Sequence, residues 1–216
     1  MKKGFVFDLD GVITDTAKYH YIAWKNLADK IGISIDLEFN EQLKGISRMD
    51  SLNRILAHGG KENDFTEAEK AELAAKKNTE YVALLQGLTE KDLLPGVAEF
   101  LAEAQKLKVP SAIASASKNA PFILEKLGVA ADFVGIVDPN TLKKGKPDPE
   151  IFIRAAEILN IQPEEAIGFE DAPAGIEGIK KAGMFAVGVL ASEPLTGADI
   201  TVHRLDELSI PDLLKK

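Results

Sequence analysis

The chain has 216 residues and a hydrophobic fraction of 45%, enough for one large domain or for one domain with an inserted segment, and too apolar for disorder. Its 26 Lys and Arg are outnumbered by 34 Asp and Glu, a net charge of −8, which disfavours nucleic acid or an anionic membrane surface as partner. With no cysteine, disulfides, thiol nucleophiles and thiolate metal sites are excluded, and a reducing compartment suits the composition. No signal-peptide pattern or bilayer-length apolar run is visible, so a cytoplasmic protein is expected.

In chain order, residues 3–9 predict a strand that is apolar on both faces. It runs into FVFDLDGVIT (5–14), where Asp8 and Asp10 stand two positions apart just before Gly11. From Thr16 to about Glu90 only helical patterns and polar links follow. Thr16, His20, Ala23, Trp24, Leu27 and Ile31 share one helical face. Leu27 and Ile31 read as core; the pattern alone favours core for Trp24 and leaves His20 open. The charge-rich stretch 61–77 mixes both signs and reads as a solvated helix face. The return point is Asp92-Leu93-Leu94-Pro95-Gly96, where Pro and Gly punctuate the chain. Further strands are predicted at 111–116, 133–137, 166–169 and 185–190, with helices at 97–107, 121–127, 149–159 and 174–182. Strands alternating with amphipathic helices imply an α/β, Rossmann-like parallel sheet covered on both faces. The organisation expected is a core from 1–15 and 92–216 and an all-helical cap from 16–91, with hinges near 14–16 and 91–95.

Ligands of open α/β sheets bind beyond the carboxyl ends of the strands. Asp8 and Asp10 lie at such an end, as do Ser115 and Ser117, and Glu170 and Asp171. Four converging acids would be costly without a counter-charge, and oxygen-only ligands favour Mg²⁺. Lys146, in Gly-Lys-Pro-Asp-Pro, and Lys118-Asn119 each precede a predicted helix. A helix N-terminus with hydroxyls and a lysine favours phosphate. His58 and His203 show no ligand spacing and read as structural or exposed.

These motifs resemble the haloacid dehalogenase superfamily: DxDGV-x-x-D-T at the first strand, Ser at the second, Lys-Pro before a helix, and an acidic pair at the fourth. The likeness covers the whole chain, inserted cap included. The second Asp points to the phosphotransferases of the superfamily and away from its dehalogenases. Within it, Thr-Ala-Lys-Tyr-His (16–20), Trp24, Leu-Lys-Gly-Ile-Ser-Arg (43–48), Ser-Ala-Ser-Lys-Asn (115–119) and Gly-Phe-Glu-Asp (168–171) are similar to the β-phosphoglucomutase family.

The resemblance implies a phosphomutase that interconverts β-D-glucose 1-phosphate and glucose 6-phosphate. The implied cofactors are Mg²⁺ and β-glucose 1,6-bisphosphate as activating intermediate, with cap closure excluding water. Asp8 would be the nucleophile. Asp10, on the same side of an extended chain, would be the general acid–base. The implied metal shell is the Asp8 carboxylate, the Asp10 main-chain carbonyl, Glu170 and Asp171. Ser115 and Lys146 would hold the transferring phosphoryl group; Lys146 is preferred to Lys143 and Lys144 because it directly precedes Pro147. Arg48, with Ser117, Lys118 and Asn119, resembles the family's far phosphate site. Thr16 and His20 are implied as further catalytic residues, His20 by helping to orient the sugar and Asp10, and Trp24, Gly45, Ile46, Ser47, Lys77 and Ala116 complete the implied sugar site. The expected partners are small sugar phosphates, and the expected state is a monomer. A sugar-phosphate phosphatase shares every core motif and is the runner-up. A receiver-like regulatory domain would lack the second Asp and the cap, and a catalytically dead binding module would not need the intact acidic set.

Overall fold

The computed structural model describes residues 1–189 and 195–216. They divide into two compact units: Met1–Asp15 with Leu88–Lys216, and Thr16–Gly87. Leu88–Lys91, which the sequence reading placed in the cap, belong to the first unit. Leu88 is buried there, and a 3₁₀ turn at Glu90–Asp92 follows it.

The first unit opens with β1 (Gly4–Phe7). The second contributes α1 (Ala17–Lys30), α2 (Leu37–Glu41), α3 (Arg48–His58) and α4 (Glu67–Leu85). The first unit then resumes with α5 (Val97–Lys106), β2 (Ser111–Ile113), α6 (Ala120–Lys126), β3 (Gly135–Ile136), α7 (Glu150–Ile158), β4 (Ala166–Glu170), α8 (Pro173–Lys181), β5 (Phe185–Val189), β6 (Ile200–Val202) and α9 (Ile210–Leu213).

Among the described residues the six strands pair in parallel, in the order β3-β2-β1-β4-β5-β6. This is the doubly wound order, in which the chain moves outward in opposite directions from β1. The two faces of β1 sort by its period of two. Val6 joins α7 and α8 residues such as Phe152, Ala155 and Ile179 in one cluster. Phe5 and Phe7 face the other way and meet Phe100 of α5, and Phe7 also stacks on Phe169 at 4.4 Å. With both faces covered, the side chains of the central strand β1 are apolar throughout, and polar groups appear where it ends.

The strands at 111–116 and 133–137 are shorter than the sequence reading made them. Position 190 of the strand at 185–190 lies outside the described residues. Strand β6 was not anticipated: it is three residues long, lies at the sheet edge, and Thr201 on it is exposed, so no apolar run announces it.

After β1 the chain turns at Gly11, whose φ of +82° suits glycine, and Gly11 N donates to Thr14 O at 2.8 Å. Thr14 then bridges to Leu93, its hydroxyl donates to Asp92 O at 2.7 Å, and Leu94 N donates to Ile13 O at 2.9 Å. The outgoing and returning segments are thus hydrogen-bonded to each other within the first unit.

The helical unit is held by an apolar cluster of Trp24, Leu27, Ile33, Leu52, Ile55 and their neighbours, against which Ile31 packs. Helices α2, α3 and α4 start at side-chain caps. Asp36, Ser47 and Thr66 accept from backbone N–H groups of α2, α3 and α4, and Glu69 closes a capping box with Thr66. No helix among the described residues is long and apolar enough to cross a membrane.

Candidate active site

The register of the sheet builds the acidic site. Phe7 pairs with Phe169, and Asp8 N donates to Phe169 O at 2.9 Å. Asp8 therefore emerges beside Glu170, the last residue of β4. Lys146, on the loop before α7, reaches both: its Nζ lies 2.6 Å from Asp8 Oδ1 and 2.7 Å from Glu170 Oε2. These side chains are almost wholly withdrawn from water, at 0% exposure for Lys146 and Glu170 and 6% for Asp8. The second Glu170 oxygen, Oε1, accepts from the backbone N–H groups of Asp171 and Ala172, each at 3.2 Å. The ring of Phe152 lies under the Lys146 ammonium, 5.1 Å from its centroid.

Asp8, Glu170 and Asp171 each offer an oxygen, and the three oxygens lie within 4.8 Å of one another. With all three carboxylates ionised against one ammonium, two negative charges stand in excess. Burial and the neighbouring Glu170 carboxylate push the Asp8 carboxyl up to about 8, against the opposing pull of Lys146. Burial alone would lower Lys146, but Asp8 and Glu170 outweigh it and hold the ammonium above its ordinary range. A buried all-oxygen donor set with two surplus charges fits a hard divalent cation. Glycine is required beside it: a Cβ on Gly11 would fall on the Asp171 carboxylate.

Asp10 stands two residues beyond Asp8, partly buried, and its backbone bridges to Thr14; its side chain is not part of the three-carboxylate group. Ser115 is buried just past β2. Ser117 N donates to Ser115 Oγ at 3.1 Å and Asn119 N donates to Ser117 Oγ at 3.3 Å, which shapes the turn into α6. Ala116, Ser117 and Asn119 are partly buried along this turn, and Lys118 is exposed. Lys143 and Lys144 are likewise exposed, and their backbone N–H groups donate to Glu150 Oε2.

The helical unit gathers a second group. Lys77, on the stretch read as a solvated face, is only 2% exposed. The reason is an aromatic lining: its Nζ lies 4.6 Å from the Trp24 ring centroid, 4.5 Å from that of Tyr81 and 2.7 Å from His20 Nδ1. An ammonium has only hydrogens to give, so Nδ1 accepts and Nε2 carries the imidazole proton. Burial, then Lys77 and Arg48, hold His20 well below its ordinary value. Thr16 Oγ1 lies 2.8 Å from Tyr81 Oη, both groups buried.

Arg48 is the first residue of α3, partly buried, and burial lowers its pKa. Ser47 serves as the cap of that helix: its hydroxyl donates to Asp50 Oδ2 at 2.6 Å while accepting from Asp50 N at 3.1 Å. Gly45 has a φ of +71°, and Ile46 beside it is partly buried. His58 is exposed and packs on Phe39, and His203 is exposed.

Three residues of these groups were not legible as site residues. Phe152, and Gly175 on α8, where a Cβ would clash with the Glu170 carboxylate, look like ordinary helix positions, and their part shows only when the sheet brings Lys146 and Glu170 to them. Tyr81 carried a usable signal, its i+4 spacing from Lys77 on one helix.

The haloacid dehalogenase-like hydrolase family model matches residues 2–183. The chain is 50% identical over 208 residues to the β-phosphoglucomutase of Bacillus subtilis (strain 168), covering 96% of this chain and 92% of that protein. It is 32% identical over 213 residues to hexitol phosphatase A of Escherichia coli (strain K12), covering 96% and 94%. The crystal structure of a β-phosphoglucomutase from Clostridium difficile superposes with a TM-score of 0.96 at 47% identity, over 100% of this chain and 96% of that one. The buried carboxylates at the ends of β1 and β4, the lysine joining them and these likenesses agree: the chain belongs to the haloacid dehalogenase-like hydrolase family.

Proposed function

We propose that the chain is a phosphomutase that interconverts β-D-glucose 1-phosphate and glucose 6-phosphate through a phosphoaspartyl enzyme and β-glucose 1,6-bisphosphate. The observation that carries the reading is the 50% identity to the Bacillus subtilis β-phosphoglucomutase over 208 residues, a span that includes the helical unit and not the catalytic core alone. The core chemistry is common to mutases and phosphatases of the family.

In this reading an Asp8 oxygen attacks the phosphorus of the donor, and the bond from phosphorus to the leaving sugar oxygen breaks. Asp10 gives that oxygen its proton. In the return step Asp10 takes the proton of the accepting hydroxyl, whose oxygen attacks the phosphorus on Asp8 and frees the carboxylate. General acid–base help of this kind contributes about 10²–10⁴ in rate. Lys146, already fixed at 2.6 Å from Asp8 Oδ1, supplies positive charge where phosphoryl oxygens gather it. Ser115, buried beside β2, is assigned as an O–H donor to the same group. Asp8, Glu170 and Asp171, with the Asp10 main-chain carbonyl, would hold Mg²⁺, which supplies counter-charge for the transferring phosphoryl group. Arg48 is assigned to the second phosphate of the bisphosphate, since its planar fork suits phosphate oxygens. Ser117, Lys118 and Asn119 are assigned to phosphate as well. Thr16 and His20 are assigned to the catalytic set, His20 orienting the sugar and Asp10, and Trp24, Lys77, Gly45, Ile46, Ser47 and Ala116 are assigned to the sugar.

The test is ³¹P NMR of the protein with Mg²⁺, β-glucose 1-phosphate and a trace of the 1,6-bisphosphate, with the α-anomer in parallel. Glucose 6-phosphate formed from the β-anomer well ahead of free phosphate is the expected result. Free phosphate as main product would make the chain a sugar-phosphate phosphatase, the reading its likeness to hexitol phosphatase A favours.

A further inference from the structure

Thr16, His20 and Trp24 are spaced four apart at the start of α1, and Lys77 and Tyr81 four apart on α4, so each set follows one helix face. The two faces are joined by Tyr81. Its Oη lies 2.8 Å from Thr16 Oγ1, its ring stacks on the His20 imidazole at 4.0 Å and 30°, and the Lys77 ammonium sits 4.5 Å from its centroid. Tyr81 is fully buried, and leucine or phenylalanine would satisfy a demand for apolar volume alone. Volume does not call for a hydroxyl paired with Thr16, nor for a flat face laid along an imidazole.

We propose that Tyr81 is a positioning residue for phosphoryl transfer, fixing the plane of the His20 ring and the direction of the Thr16 hydroxyl. The proposal rests on the phosphomutase reading of the site. Lys77 fixes one atom of the imidazole through Nδ1 at 2.7 Å. That hydrogen bond fixes a point of the ring and does not by itself fix its plane. The stack on Tyr81 sets the ring plane, and plane and point together set where Nε2–H is aimed. Thr16 is held at the other end of the same side chain, so one residue keeps the two groups in fixed relation. Lys77 and Arg48 are among the charged groups that bear on His20.

The experiment uses the full chain and the variants Tyr81→Phe and Tyr81→Leu, read by ¹⁵N NMR of the imidazoles and by kcat and KM for β-glucose 1-phosphate. Tyr81→Phe keeps the stack and loses the bond to Thr16; Tyr81→Leu loses both. The expected result for Tyr81→Leu is a displaced or broadened His20 signal. Its kcat should fall by about 10- to 10²-fold, the scale of a misplacement near 1 Å, with KM little changed. Tyr81→Phe should keep the His20 signal and show a smaller fall in kcat. A folded Tyr81→Leu protein with the wild-type His20 signal or the wild-type kcat overturns the proposal. Should Tyr81→Leu fail to fold, Tyr81→Phe decides: a lowered kcat with the His20 signal retained supports the assignment, and an unchanged kcat overturns it. The NMR reading needs no substrate. A wild-type protein that makes no glucose 6-phosphate would strike the phosphomutase reading, while the imidazole spectra would still report whether Tyr81 holds His20.

Discussion

The carboxylate of Glu170 lies so close to Gly175 that a Cβ there would stand only 1.9 Å from Glu170 Oε2. Gly175 falls in the first turn of α8, where the helix dipole favours a negative charge. Glycine at this position lets the charge come close. Gly175→Ala should push Glu170 away from Lys146 and disturb the three-carboxylate group. Mg²⁺ affinity by calorimetry is expected to fall about 10- to 100-fold, the usual cost of a lost supporting contact. An unchanged affinity would mean that Glu170 is not a ligand or can move without loss.

Cation binding should be strongly dependent on pH. Burial and Glu170 push the Asp8 carboxyl up to about 8, so a proton competes with the cation at neutral pH. Affinity is expected to rise with pH through that value. At pH ~7 binding should release protons, detectable as a calorimetric heat that varies with the ionisation enthalpy of the buffer. Buffer-independent heat would show that the cluster is already deprotonated without the cation.

Asp8 and Asp10 should fail differently. Asp8→Ala is expected to abolish turnover with circular dichroism unchanged. Asp10→Asn should slow transfer to and from the sugar by about 10²–10⁴, the worth of a positioned general acid–base. With acetyl phosphate, whose leaving group needs no proton, phosphorylation of Asp8 in that variant should be far less impaired. Equal loss with both donors would remove Asp10 from the acid–base role.

Arg48→Ala is expected to impair transfer involving the second phosphate more than attack of acetyl phosphate on Asp8. Arg48→Lys should restore it only in part, because an ammonium lacks the planar fork. Parallel losses in the two assays would count against a phosphate contact.

The buried imidazole of His20 should make the fold sensitive to acid. Its pKa in the folded chain lies well below the ordinary 6.5, through burial and then Lys77 and Arg48. As the pH falls below 6.5 the unfolded chain takes up a proton that the folded chain refuses, so stability falls on acidification and is regained above that value. Urea denaturation of the wild type and His20→Gln across this range should show a shallower acid slope in the variant. Identical slopes would place the titration elsewhere.

Composition, strand–helix alternation and the acidic pairs were enough to read a parallel α/β sheet, a helical insertion after the first strand and a cluster of acidic residues at the strand ends. Those features are written in local periodicity and in polar residues that stop apolar runs. The three-residue edge strand at 200–202 was not legible, because an exposed edge carries no continuous apolar signal. Contacts made at long range were also out of reach. Lys146 pairs with Asp8 across 138 positions, and only the parallel register of β1 with β4 decides that Glu170 shares the same ammonium. Lys77 looked like surface because its neighbours in sequence are charged. Packing of Trp24, His20 and Tyr81 around it made it a buried cation. Sequence by itself set which chemical groups stand at which element ends. Tertiary structure decided which of them share a charge, because Coulomb and aromatic contacts act over a few ångströms of space, whatever their separation along the chain.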